Sequence, residues 1–84
     1  PSVLFISLHR YNDGYFYPGP SGALENLGKD KGLGYNLNVP WNHSTETDYK
    51  VPDDNEYVYA FERLVLPVLE EFQPEFLIIS AGFD

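Results

Sequence analysis

Apolar residues recur along this chain with three different periods, and each period predicts a different element. Val3-Leu4-Phe5-Ile6-Ser7-Leu8-His9 is a nearly continuous apolar run with β-branched and aromatic members, the pattern of a central parallel strand buried on both faces. Tyr35, Leu37, Val39 and Trp41 alternate with Asn36, Asn38 and Pro40. That period of two predicts a second strand with one apolar face, and the Asn and Pro positions suit a sheet edge. From Tyr57 the period lengthens: Ala60, Phe61, Leu64, Val65, Val68, Leu69 and Phe72 fall three and four residues apart, one wide stripe of a helix. Asp53-x-x-Glu56 offers a capping box, so the helix is predicted over 54–72, ending before Pro74 and kinked at Pro67. A last run, Phe76-Leu77-Ile78-Ile79, breaks at Ser80-Ala81-Gly82 and leads to Asp84, which predicts a buried strand over 76–84 presenting a carboxylate at its end.

Between the first two strands, residues 11–31 fill with Gly, Pro, Asn, Asp and aromatics, including Asp13-Gly14 and Pro18-Gly19-Pro20-Ser21-Gly22. These residues break regular structure. A loop of about twenty residues in a compact domain is usually functional or disordered, and Tyr11, Tyr15, Phe16 and Tyr17 argue for order. The sequence of strand, loop, strand, helix, strand predicts an α/β chain: part of an open, mainly parallel sheet with flanking helices, entered through a right-handed crossover.

Length changes this picture. A chain of 84 residues makes one small domain, which buries only about 60% of its unfolded surface. It starts at Pro1, has no methionine, and enters a strand pattern at Val3. The expectation is therefore a piece, 1–84, cut at both ends from a larger domain and unable to fold stably alone. With no cysteine, a disulfide scaffold and a thiolate metal site are excluded, and any metal must be held by His, Asp or Glu. The net charge of −8 opposes direct nucleic-acid binding by this segment. Glu46, Asp48, Asp53, Asp54 and Glu56 read first as a solvated loop and helix start, and secondarily as an attractor of lysine-rich substrates. No stretch is long and apolar enough for a membrane span.

Candidate chemistry is sparse. Asp84 stands where ligands and metals gather in open α/β sheets, although an acid there also serves as a turn or helix cap. Gly28, Gly32 and Gly34 surround Lys29 and Lys31, but their spacing fits no phosphate loop and they lead into a strand. His9 reads first as a buried histidine making local hydrogen bonds, and secondarily as a ligand or base. His43 lies in a polar loop, in an Asn42-His43-Ser44 sequon that means little without a signal peptide. No Ser, His and Asp set suggests nucleophilic catalysis.

Three segments carry more: Ser7-Leu8-His9-Arg10-Tyr11, Gly14-Tyr15-Phe16-Tyr17-Pro18-Gly19 and Ser80-Ala81-Gly82-Phe83-Asp84. In this order, with Gly32-Leu33-Gly34-Tyr35-Asn36-Leu37-Asn38-Val39 and the helix between them, the whole chain resembles the catalytic domain of class II histone deacetylases. The loop over 42–55 departs from that pattern, being longer and lacking a Gly-Asp pair before the helix.

The resemblance implies an arginase/deacetylase-like fold and zinc-dependent hydrolysis of acetyl-lysine in proteins such as histones or tubulin, with roles in chromatin regulation, corepressor complexes as partners, and residence in nucleus or cytoplasm. Its matching residues make Asp84 a zinc ligand, and Tyr17, with Phe16 beside it, a wall of the tunnel that takes the lysine stem. Phe is the usual residue at the Tyr17 position. Potassium is the further cofactor implied: Ser7 by its hydroxyl and Leu8 by its carbonyl at one site, and the Val3 and Tyr35 carbonyls at a second. The catalytic histidines, the remaining zinc ligands and an oxyanion-stabilising Tyr would lie outside 1–84. A small-molecule deacetylase acting on acetylpolyamines, or an inactive deacetylase-like scaffold, remains as an alternative.

Overall fold

The computed structural model of the chain describes residues 2–42 and 52–82. Two strands, β1 (Phe5–Arg10) and β2 (Asn36–Trp41), pair in parallel from Phe5↔Asn36 to Arg10↔Trp41. Because side chains alternate across a strand, this register sorts them onto two unlike faces. Ile6, Leu8 and Arg10 share one face with Leu37, Val39 and Trp41; Phe5, Ser7 and His9 share the other with Asn36, Asn38 and Pro40.

A helical rod covers the first face. It comprises α1 (Asp54–Ala60), a π-helical turn (Phe61–Val65) and α2 (Leu66–Phe72). Asp53 caps it as the sequence predicts: its carboxylate accepts from the Asn55 N–H at 3.0 Å, and Glu56 accepts from the Asp53 N–H at 3.0 Å. Asp53 and Glu56 are thus structural, whereas Glu46 and Asp48 lie outside the described residues. Trp41 meets Tyr57 with ring centroids 5.5 Å apart, and Tyr35 meets Phe72 at 6.0 Å. The rod therefore runs antiparallel to β2, as a helix must to return the chain to the start of a further parallel strand. Val39, Ala60 and Val65 form its buried apolar seam.

Pro67 is accommodated by a change of helix type. In an α-helix its ring would collide with the Arg63 carbonyl. Here the preceding turn is widened to π geometry, with the Leu66 N–H bonded to the Phe61 carbonyl five residues back, and the backbone stays right-handed helical through the junction. Gln73, at φ 53°, ends the helix before Pro74.

The long loop expected over 11–31 is present: the connection between the parallel strands contains only short 3-10 turns at Asn12–Gly14, Pro20–Gly22 and Asp30–Gly32, and this loop covers the polar face of the sheet. Asn38, expected on an open edge-strand face, is consequently only 3% exposed. The buried strand expected over 76–84 is absent: the described part, through Gly82, forms no strand, and Phe76, Ile78 and Ile79 are each more than three-quarters exposed. An apolar run becomes a strand only when another strand satisfies its backbone, and among the described residues none reaches it. β1 is likewise half-buried instead of covered on both faces, with Phe5 54% exposed. No described helix is long and apolar enough to cross a membrane.

Candidate functional site

The polar face is built around His9. Its Nε2 lies 2.8 Å from the Gly22 carbonyl, which can only accept, so Nε2 carries the proton. In the neutral ring Nδ1 is then an acceptor, and the Ser7 hydroxyl, 2.9 Å away, donates to it. Donating leaves both lone pairs of the Ser7 Oγ available. One imidazole thus joins a strand hydroxyl to the loop backbone.

Two asparagines extend this clamp. Asn38 donates through Nδ2 to the Ser21 and Ala23 carbonyls at 3.1 and 2.9 Å, and Asn36 donates to the Asn26 carbonyl at 2.9 Å. The anchored carbonyls flank Gly22, which has no room for a side chain: a Cβ there would stand 2.7 Å from His9 Nε2. The alternation Asn36-x-Asn38 was the sequence signal for this clamp, but it reads equally as an exposed strand face. Gly22 stood out only as one glycine among several in a Gly/Pro-rich loop.

From the anchor, hydrogen bonds step toward the aromatic segment. The Gly22 N–H donates to the Gly19 carbonyl at 3.1 Å, the Gly19 N–H to Phe16 at 2.7 Å, and the Phe16 N–H to Tyr11 at 3.2 Å. Asn12, Asp13 and Gly14, all at positive φ, turn the chain sharply after β1, and the Asp13 N–H donates to Asn42 Oδ1 beyond β2. The Tyr17–Pro18 peptide bond is cis.

These restraints leave Tyr17 86% and Tyr15 95% exposed, so neither belongs to a packed loop core. Phe16 is 42% exposed and is backed by the Arg10 guanidinium, whose Cζ lies 4.5 Å from the ring centroid, a cation–π contact absent from the sequence reading. Phe16 and Tyr17 therefore stand together just beyond the carboxyl end of β1.

The other candidate residues are distributed as follows. The Phe5 N–H bonds to the Tyr35 carbonyl and the Tyr11 N–H to the Trp41 carbonyl, so the odd-numbered residues of β1 face β2. The Leu8 carbonyl then points to the opposite edge of β1, outside the β1–β2 ladder. The Tyr35 carbonyl is already engaged by Phe5 at 3.0 Å, and Val3 is exposed. Asp84 and His43 lie outside the described residues. Among the described residues, no three His, Asp or Glu side chains gather as a metal-binding group. The Gly28–Gly34 segment is a turn closed by the Gly34 N–H on the Leu27 carbonyl, and it leads into β2.

Comparison with known proteins is consistent with this geometry. A family model described as histone deacetylase domain matches residues 1–84. The histone deacetylase Clr3 of Schizosaccharomyces pombe is 47% identical over the whole chain, and human histone deacetylase 7 is 46% identical. The chain spans 12% and 8% of those two proteins. The solved HDA15 HD domain superposes with a TM-score of 0.87 at 48% identity, covering all of this chain and 22% of that one; the solved Clr3 structure gives 0.87 at 47%, with 13% of its chain covered.

Proposed function

We propose, from the premise that this chain belongs to the histone deacetylase domain family, that it is the central part of a class II catalytic domain hydrolysing acetyl-lysine in proteins such as histones, in nucleus or cytoplasm. The observation that carries this reading is the pair Phe16 and Tyr17, held outward at a strand end by a loop that hydrogen bonds anchor on both sides. A flat apolar wall suits a four-carbon lysine stem and excludes water from its amide. Arg10 stiffens Phe16 from behind, and the Tyr17 hydroxyl is turned toward solvent, at the mouth of such a slot. The His-Arg-Tyr and Gly-Phe-Asp segments favour class II, and an acetylated protein tail is the partner.

Zinc, when bound, would supply water activation and carbonyl polarisation, with Asp84 as the ligand from this chain and the other ligands and proton-transfer groups from the rest of the domain. The donors of β1 fit a monovalent cation better than a divalent one: one neutral hydroxyl with available lone pairs, from Ser7, and one backbone carbonyl, from Leu8. We assign potassium to them, and a second, weaker site to the Val3 and Tyr35 carbonyls.

Steady-state kinetics of the full-length protein on acetyl-lysine peptides test the tunnel role. Tyr17→Ala should raise KM and lower kcat, about tenfold or more in kcat/KM, because the wall orients the stem, while zinc content stays at wild-type level. Tyr17→Phe should be nearly silent. Unchanged kinetics in the alanine variant, or loss of zinc, would contradict the assignment; activity confined to acetylated polyamines would shift the substrate to a small molecule, and no activity on any amide would favour a scaffold.

A further inference from the structure

We infer that His9 is a positioning residue with two separable functions, one for each ring nitrogen. Through Nδ1 it holds the Ser7 hydroxyl as a donor, so that the oxygen's lone pairs remain turned outward for a cation. Through Nε2–H it anchors the Gly22 carbonyl, from which hydrogen bonds run through Gly19 to Phe16, and thereby sets the height of the aromatic wall.

The geometry leaves little alternative. The Gly22 carbonyl fixes the proton on Nε2, which fixes the direction of the Ser7 bond. A Cβ at Gly22 would stand only 2.7 Å from Nε2, so the loop backbone sits directly against the ring. A hydroxyl without this acceptor would rotate to find another, and its oxygen would no longer be oriented. Groups of this kind, which orient a metal ligand without touching the metal, typically change metal affinity by about 10- to 100-fold when removed. The inference rests on the assignment of Ser7 as a cation ligand.

Two amides dissect the ring. Asn places its side-chain oxygen near the Nδ1 position and is too short to reach Gly22; Gln places its NH₂ near the Nε2 position and offers Ser7 nothing. Both variants, with wild type and Ser7→Ala, should be made in the full-length protein. Two readouts apply: the rise in Tm on titrating KCl against choline chloride at constant ionic strength, and KM for an acetyl-lysine peptide at saturating potassium. His9→Gln should need about tenfold more potassium for half-maximal stabilisation and keep KM near wild type. His9→Asn should keep the potassium midpoint and raise KM about tenfold.

If both variants move both readouts alike, or neither moves either, His9 is a structural residue and the inference fails. If Ser7→Ala abolishes the potassium response while His9→Gln leaves it intact, the positioning role fails and the cation site stands. A potassium response that survives Ser7→Ala removes the cation site and the Nδ1 function with it.

Discussion

The two faces of the β1–β2 sheet are held by different kinds of force. On the helix face, stability comes from burial that is undirected: Val39, Ala60 and Val65 lose their water, but an open groove of about 450 Å³ remains between β2 and the helix, walled by Val39, Trp41, Tyr59, Ala60 and Leu64 with Glu56 and Arg63. Two buried donors there, Arg10 Nε and Trp41 Nε1, lack hydrogen-bond partners. On the loop face almost no described apolar side chain is buried, and four side-chain bonds from His9, Asn36 and Asn38 grip the carbonyls of Ser21, Gly22, Ala23 and Asn26. Hydrophobic burial scales with area and tolerates rearrangement, whereas a hydrogen bond fixes a distance and a direction. The face whose loop carries Phe16 and Tyr17 uses the directional force, and the face that holds the helix uses the other.

This contrast predicts different outcomes for substitutions a few ångströms apart. Asn38→Leu, which puts a larger apolar side chain at a buried position and strips the Ala23 carbonyl of its Asn38 donor while the Ser21 carbonyl keeps Asn26 Nδ2, should destabilise the full-length protein by about 2 to 3 kcal/mol. It should also raise KM, because the two carbonyls that lose Asn38 lie on either side of Gly22. Val65→Ala removes two methyl groups from the helix seam and should cost less, about 1 to 2 kcal/mol, with KM unchanged. Denaturant unfolding and peptide kinetics on both variants check the pair. A KM change in Val65→Ala equal to that in Asn38→Leu would mean that the two faces are one mechanical unit.

How much of this was legible in the chain depends on which force acts. Burial writes itself as periodicity, so the helix over 54–72, its Asp53 and Glu56 cap and both paired strands could be read with little error. The loop clamp leaves no periodic trace. Asn38 looked exposed because alternation reports two faces without saying what covers the second, and Gly22 matters through a clearance visible only once His9 is placed. Pro67 announced a kink, but whether a helix kinks or widens by a π turn depends on backbone beyond the proline itself. For Phe76–Ile79, apolar character was read correctly and pairing was not, because strand formation needs a partner that a local pattern does not encode. The site was legible only as family motifs: the geometry shows where Ser7, Leu8, Phe16 and Tyr17 stand, and Asp84 lies outside the described residues.

The central claim is that this chain belongs to a zinc hydrolase site to which it contributes a carboxylate, and the most direct test is metal stoichiometry in Asp84→Asn of the full-length protein. Asn keeps the shape of Asp but withdraws the anionic charge, and a neutral amide oxygen is a poor zinc ligand. Elemental analysis of the purified variant should find zinc sharply reduced, with unfolding close to wild type and deacetylation lost by far more than the factor of about 10² to 10³ typical of one oxyanion donor. Full zinc occupancy with near-normal turnover would make Asp84 a cap on the chain after Gly82 and contradict the account.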